Sequence, residues 1–337
     1  MMKYFLKMLL ILFGFPLLIF AKTLPPTEFN TYDGVPVGGR ALGMGQAFVG
    51  LADDPYAVYW NPAGLLQLKR NIFGISFDVG QQSKLETAKF IQEKSLQGRK
   101  LTFFSFASPQ GAVFYRPLSN FQSRTDLGVD SWEKREVKVY ALGLTVASAS
   151  GKDDSLLIGI NLNYLNGRLA VAKKAAEPEI ILSDGNGFSA DLGFIFRATP
   201  VMNLGISVQN FPGYVWWEDY LHERLPIVLR TGISLKVSDL LIFTSDYENR
   251  FYHAPFEKLK SYHLGLEQAL GKVIFLRTGL YGEDLNDPTK LHYTFGLGYA
   301  FENYNLDFSL DKTITDVDNI QNQLYSYGFS LTLPFGE

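Results

Sequence analysis

From residue 71 onward, apolar residues alternate with small or polar ones at a period of two. That period marks a strand whose two faces meet different surroundings, because successive side chains point to opposite sides. Tyr304, Leu306, Phe308 and Leu310 fall on one face, against Asn303, Asn305, Asp307 and Ser309 on the other. Leu156, Ile158, Ile160, Leu162 and Tyr164 oppose Gly159, Asn161 and Asn163. The same holds for Tyr293, Phe295, Leu297 and Tyr299, and for Tyr325, Tyr327, Phe329, Leu331 and Leu333. About 14 such segments follow one another. They cover residues 72–79, 101–106, 111–116, 135–149, 155–168, 187–197, 202–209, 227–237, 240–248, 261–268, 272–281, 291–300, 304–310 and 324–333.

The connections alternate as well. Long ones (80–100, 117–134, 169–186, 210–226, 249–260, 311–323) are interleaved with short ones (107–110, 150–154, 198–201, 238–239, 269–271, 301–303), and 282–290 is intermediate. Long and short connections on opposite sides are expected of a transmembrane antiparallel β-barrel, and an even strand number returns both barrel ends to the short-turn side. A soluble antiparallel barrel is the alternative. It would need a second layer over a large apolar outer face, whereas lipid removes that need and closure removes exposed edges.

Two segments precede the strands. Residues 1–21 carry Lys3 and Lys7, an apolar run from Met8 to Phe20, and a small residue at Ala21. This is the pattern of a cleaved secretory signal peptide. At Gly14 and Pro16 the run is interrupted, and it is short for a spanning helix, which needs about 20 residues. Residues 22–70 are not strand-like. Gly43 and Gly45 permit close packing or a positive φ, residues 41–51 can form a helical turn, and Asp53 or Asp54 can cap the next one, with Pro55 at a first helical position. A segment of short turns and small residues fits inside a barrel as a plug, leaving residues 71–337 for the wall.

Composition narrows the chemistry. Hydrophobic residues make up 47% of the chain, with 27 Phe and 18 Tyr, so much apolar surface is buried or faces lipid. No cysteine is present, which excludes disulfides and thiolate metal sites. The 31 basic and 34 acidic residues leave a net charge of −3, no footprint for nucleic acid. No GxSxG, HExxH or P-loop occurs, and Gly43-Met44-Gly45 is too short for a dinucleotide fingerprint. His222, His253, His263 and His292 are scattered without ligand spacing. The expectation is a protein without enzymatic activity, cofactor or metal.

The run from Gly39 to Leu65, ending in Asn61-Pro62-Ala63, closely resembles the N-terminal hatch of the outer-membrane superfamily that contains the long-chain fatty acid transporter (FadL) and PorV/PorQ proteins. The resemblance implies a hatch folded into the barrel, with Arg40, Gly43, Gly45, Asp53, Asp54, Asn61, Pro62 and Ala63 as its motif. It implies a place in the outer membrane, surrounded by its lipid, and passive uptake of small hydrophobic compounds such as long-chain fatty acids. In that scheme outer loops capture the ligand, the hatch shifts, and the ligand leaves through the lumen or the wall. The other implied role is a PorV/PorQ-like component of type IX protein secretion, a scaffold for secretion-system proteins. The terminal Leu331-Thr-Leu-Pro-Phe335 resembles a barrel-assembly signal, followed here by Gly336 and Glu337.

Three sets of residues are candidates for function. Arg40, a cation expected inside a barrel, needs a carboxylate or water, and Asp191, Asp246, Glu267 and Asp307 are in phase to supply one. Phe211, Tyr214, Trp216 and Trp217 sit in an aromatic outer connection, either as a ligand-capture surface or as an interfacial anchor or cap. Arg230, Asp246, Glu267, Phe275 and Arg277 are candidate lumen residues; if Ile274, Leu276 and Leu280 face lipid, Phe275 and Arg277 face inward and suit an amphiphile with a carboxylate head.

Overall fold

The computed structural model describes residues 23–25, 27, 31–32, 34–78, 82–83, 100–128, 131–174, 179–253, 258–285, 287, 290–302, 304–317 and 320–336. The predicted signal peptide lies outside the described residues. Fourteen strands close a ring, and three short strands, Gln82–Ser83, Gly213–Trp217 and Glu223–Arg224, attach to it. In chain order the ring strands are β1 Ile72–Asp78, β2 Lys100–Ala107, β3 Gly111–Gly128, β4 Ser131–Ser150, β5 Leu156–Lys174, β6 Glu179–Thr199 and β7 Met202–Gln209. They continue as β8 Ile227–Lys236, β9 Leu241–Phe251, β10 Leu259–Leu270, β11 Ile274–Gly282, β12 Leu291–Ala300, β13 Asn305–Val317 and β14 Ile320–Pro334. Every neighbour is antiparallel, and β1 pairs with β14 from Ile72↔Pro334 to Asp78↔Gly328 to close the seam. The protein is therefore a transmembrane antiparallel β-barrel of fourteen strands with a plug in its lumen.

The alternation has a clear physical basis. Along β5, every second residue from Leu157 to Val171 is buried, while Ile160, Leu162 and Tyr164 between them are exposed. Leu142, Leu144 and Val146 on β4 and Leu276 on β11 are likewise exposed. A continuous apolar band outside a closed barrel is the surface it shows to lipid.

The short connections after β2, β4, β6, β8, β10 and β12 define a turn end, and the opposite rim is the loop end. Three of the long connections differ from expectation, and one is 311–323, most of which lies in β13 and β14. Most of residues 117–134 and 169–186 is strand, because β3 to β6 run 18, 20, 19 and 21 residues. A tilted strand crosses a bilayer in about 9–11 residues, so these two hairpins rise well past the rim. Their upper parts carry charge on the outer face, as in the Arg168–Asp184 pair across β5 and β6. The apolar alternation ends there while the ladder continues, which is why the pattern alone reads as loop.

Inside the ring, the chain folds as helix α1 Gly39–Gly43, helix α2 Ala57–Trp60 and a 3₁₀ turn Pro62–Gln67. The segment predicted at 41–51 as one helical turn is thus shorter and earlier, and Pro55 sits in a turn before α2 rather than at its first position. Met44, Phe48, Tyr56 and Trp60 are fully buried there with Phe103, Phe114, Leu157 and Ile195 of the wall. Burial of each such large side chain contributes about 1.5–3 kcal/mol.

Candidate functional site

A plug of short helical turns leaves many backbone groups without internal partners, and each must find one. The wall supplies them. Asp246 Oδ2 accepts from the amides of Phe48 and Val49 at 2.7 and 2.8 Å. Thr294 Oγ1 accepts from Gly45 N at 2.9 Å and donates to Gly43 O at 3.1 Å. Ser330 accepts from Gly39 N at 2.8 Å, and Asn161 donates to Val58 O at 2.7 Å. The Gln209 amide donates to Tyr59 O. Tyr56 Oη lies 2.8 Å from Ile75 O on β1 and 3.1 Å from Leu331 O on β14, so it touches both strands of the seam.

The Asn61-Pro62-Ala63 motif does two things. Asn61 Oδ1 accepts from Ala63 N at 3.2 Å, which caps the 3₁₀ turn. Its Nδ2 donates to Val49 O at 3.0 Å within the plug, and lies 3.0 Å from Phe194 O and 3.3 Å from Ile206 O on the wall. Pro62 and Ala63 press on wall glycines: a Cβ at Gly159 would lie 2.3 Å from the Pro62 carbonyl carbon.

At the turn end, charges are paired across plug and wall. Arg40 donates to Glu267 through Nε at 2.7 Å and Nη2 at 2.8 Å, and its Nη1 reaches Asp53 at 2.6 Å. Arg277 reaches the same Glu267 at 2.6 Å and Asp307 at 2.7 Å. Asp54 caps locally, accepting from Tyr56 N at 2.9 Å. Burial pushes the Asp54 carboxyl up to about 7; Arg40 pulls it down and Asp53 adds to the rise. These residues line a cavity of about 250 Å³ with Phe275 and Tyr299 on its wall side. Arg277 does face inward beside Phe275, but its guanidinium is already held by two carboxylates. It is not a free cation for a head group.

The middle of the lumen holds a second polar belt. Arg116 pairs with Asp191 at 3.1 Å, and Asn161 and Asn163 donate to the same carboxylate oxygen at 3.0 and 3.1 Å. Arg230 pairs with Glu248, which also holds Arg250 at 2.8 Å. The Arg116 and Arg230 guanidiniums lie over the Tyr59 ring at 5.4 and 5.7 Å. Arg116, Glu248 and Arg250 were not among the candidates from sequence. The inward phase of their strands is the signal that could have found them.

Above this belt the inner wall turns apolar. On β5 the inward series passes from Gly159, Asn161 and Asn163 to Leu165, Leu169 and Val171. Val137 and Val139 on β4 and Leu118 on β3 continue the surface, packed under Val215, Trp217, Leu225 and Tyr32. Tyr32 belongs to an N-terminal arm that enters at the loop end, where Thr23 bridges to Tyr220. Glu223 fastens the arm. Its carboxylate accepts from Thr27 Oγ1 at 2.6 Å, Tyr32 Oη at 2.9 Å and Trp217 Nε1 at 3.2 Å. Burial raises the Glu223 carboxyl, against the pull of those three donors.

The aromatic connection divides its residues. Its middle, Gly213–Trp217, is a strand paired with β6 from Gly185↔Trp217 to Ser189↔Gly213. Alternation sends Trp217 inward, so its assignment to a capture surface is corrected: it is 3% exposed and part of the inner packing. Trp216 and Phe211 are exposed, and Tyr214 is half-buried. Tyr214 and Trp216 stack on each other at 5.8 Å and on Phe188 of β6 at 6.1 and 5.7 Å.

One interval of the wall lacks a ladder. Among the described residues, β2 and β3 pair only from Phe104↔Tyr115 to Ala107↔Ala112. Above that, Lys100 to Phe103 pair only with β1, and β3 pairs only with β4. Pro117 stands where the ladder stops, without an N–H to give, and the register to β4 shifts between Pro117 and Ser119.

No protein-family model and no curated protein matches the sequence. Solved structures do. The chain is similar to the CymD monoaromatic hydrocarbon channel at 15% identity and TM-score 0.64, over 91% of this chain and 99% of that one. It is similar to the Ralstonia pickettii toluene transporter TbuX at 14% identity and TM-score 0.62, over 92% and 100%. A Pseudomonas aeruginosa FadL homologue matches at 10% identity and TM-score 0.59, over 90% and 99%. The chain has the FadL-type barrel fold.

Proposed function

We propose that this protein is an outer-membrane channel for passive entry of small hydrophobic compounds. The observation that carries the reading is an apolar inner lining directly beside an unlaced stretch of wall. Barrel interiors are ordinarily polar, yet Leu118, Val137, Val139, Leu165 and Leu169 form an aliphatic surface inside this one. Leu118 sits on β3 next to the interval where β2 and β3 do not pair. A ligand entering at the loop end exchanges with Tyr32 on that surface and leaves sideways into the bilayer. The similar structures include a monoaromatic hydrocarbon channel and a toluene transporter, which supports this substrate class. Long-chain fatty acids belong to the same broad class without being singled out. The secretion-scaffold alternative draws no support from these neighbours.

The route favours a plug that stays in place. Its backbone is bonded to side chains all round the ring, and swinging it out would strand those groups. The chain lacks cysteine, so paired cysteines can be introduced cleanly. A thiol crosslink between Phe103→Cys and Leu118→Cys, on the two sides of the unpaired interval, should abolish uptake of labelled toluene, and reduction should restore it. Uptake that persists with the interval stitched would rule out the sideways exit.

A further inference from the structure

The apolar half of the upper lumen, on β3 to β6, faces a wall of different chemistry. Strands β11 and β12 lie seven places from β4 and β5 in the ring of fourteen, on the opposite side. Here the inward residues are aromatic and polar. The rings of His263, Tyr281 and His292 stack in a column, at 5.4 Å and then 4.3 Å, with interplanar angles of 6° and 16°. Asp311 on β13 ties the column's free end. Tyr281 Oη donates to its Oδ2 at 2.5 Å, and His292 Nδ1 lies 3.0 and 3.2 Å from its two oxygens.

That contact places a proton on Nδ1. A carboxylate so close to Nδ1 requires the proton there, since an unprotonated nitrogen would place two lone-pair atoms against each other. Thr313 Oγ1 lies 2.6 Å from the same nitrogen. Among the described residues Nε2 has only that hydroxyl near it, at 3.5 Å. The pair is not sealed: the side chains of His292 and Asp311 are 25% and 24% exposed although they point into a closed ring. Both therefore stay within reach of a small molecule. His263 contributes no polar edge, because Gly45 O and Ser261 Oγ occupy both its nitrogens at 2.9 and 2.8 Å.

We propose that the His292–Asp311 pair is a selectivity site for neutral, hydroxyl-bearing apolar molecules, alkylphenols above all. The site offers a histidine edge and a threonine hydroxyl, so it rewards a ligand that brings one O–H. Its rings suit an aromatic body. The Asp311 carboxylate repels a carboxylate head, which sets this wall against fatty-acid anions. A plain hydrocarbon leaves that polar edge to water. The inference rests on the channel reading above and adds the substrate class to it.

The test is equilibrium binding to the full-length protein in detergent, corrected with detergent alone, using p-cresol, toluene and p-toluate. p-Cresol should bind about tenfold more tightly than toluene, the worth of one hydrogen bond, and p-toluate most weakly. His292→Phe should erase the p-cresol advantage and leave toluene within about twofold, since it keeps the ring stack and loses one hydrogen bond. Asp311→Asn, which removes the carboxylate that orients the ring, should weaken p-cresol in the same direction. Equal wild-type binding of p-cresol and toluene, or a preference that survives His292→Phe, overturns the selectivity site and leaves the channel reading standing. Binding of neither compound overturns both.

Discussion

Glycine stands against glycine where plug meets wall: a Cβ on Gly279 of β11 would lie 2.2 Å from the nitrogen of Gly45. Gly45 itself has a φ of +62°, and a Cβ there would lie 2.5 Å from Leu264 O. Gly43 meets Gly296 of β12 in the same way, at 2.7 Å. The seat of the plug is thus cut from missing side chains on both partners. Gly279→Ala should destabilise the barrel by about 1–3 kcal/mol, the usual cost of overpacking. The temperature at which the folded band disappears in a heat-modifiability gel should fall accordingly. An unchanged transition would mean that the plug does not sit against β11.

Arg40 joins Asp53 of the plug to Glu267 of the wall. Arg40→Ala leaves a buried Glu267 with one cation in place of two, and loss of such a partner costs about 3 kcal/mol. Urea unfolding in detergent should show the loss. Arg40→Lys should recover only part of it, because a lysine cannot make the paired Nε and Nη2 contacts.

Asp54 gives the protein a pH dependence. Its folded carboxyl is pushed up to about 7, above the ordinary 3.8, mainly by burial. Between those values the folded state holds a proton that the unfolded state has lost. Stability therefore declines as pH rises from about 4 to about 7 and levels off above that. The side chain is partly accessible from the turn-end cavity, so the decline should be shallower than full burial would give. Asp54→Asn should flatten this component. A wild-type profile with no difference from the variant across that window would show that Asp54 titrates normally.

Glu223 is the clasp of the N-terminal arm. Glu223→Ala removes the common acceptor of Thr27, Tyr32 and Trp217. The arm should become sensitive to added protease, while the heat-modifiability transition of the ring stays close to wild type. Continued protection of the arm would place its anchor elsewhere, in the Thr23 bridge to Tyr220.

Much of this was legible before any coordinate. The periodicity located all fourteen ring strands, and residues 202–209 and 291–300 match β7 and β12 to the residue. It reported the outer face, because lipid demands apolar side chains at every second position. It did not report the upper parts of β3 to β6, whose outer face mixes charged residues such as Arg168 and Asp184 with apolar ones such as Ile180 and Leu182. Trp217 was misplaced for a related reason: a cluster of aromatics shows no alternation by composition, and only pairing with β6 reveals which ring turns inward. The site residues split along the same line. Arg40 and Glu267 could be named as a possible pair from phase alone. Glu223 could not, since its three donors come from positions 27, 32 and 217, which no local pattern connects.

The position of Tyr56 has a bearing on how the molecule is made. Ile75 and Leu331 are register partners across the seam, and the one phenol reaches both carbonyls. The first and last strands therefore meet over a residue of the plug. Seating residues 39–68 and joining the seam share this contact, so the plug acts as a mandrel against which the last strand pair is drawn together. Tyr56→Phe should accordingly slow the appearance of the closed form during assembly more than it lowers the stability of the finished barrel, a kinetic signature that a purely stabilising contact would not give.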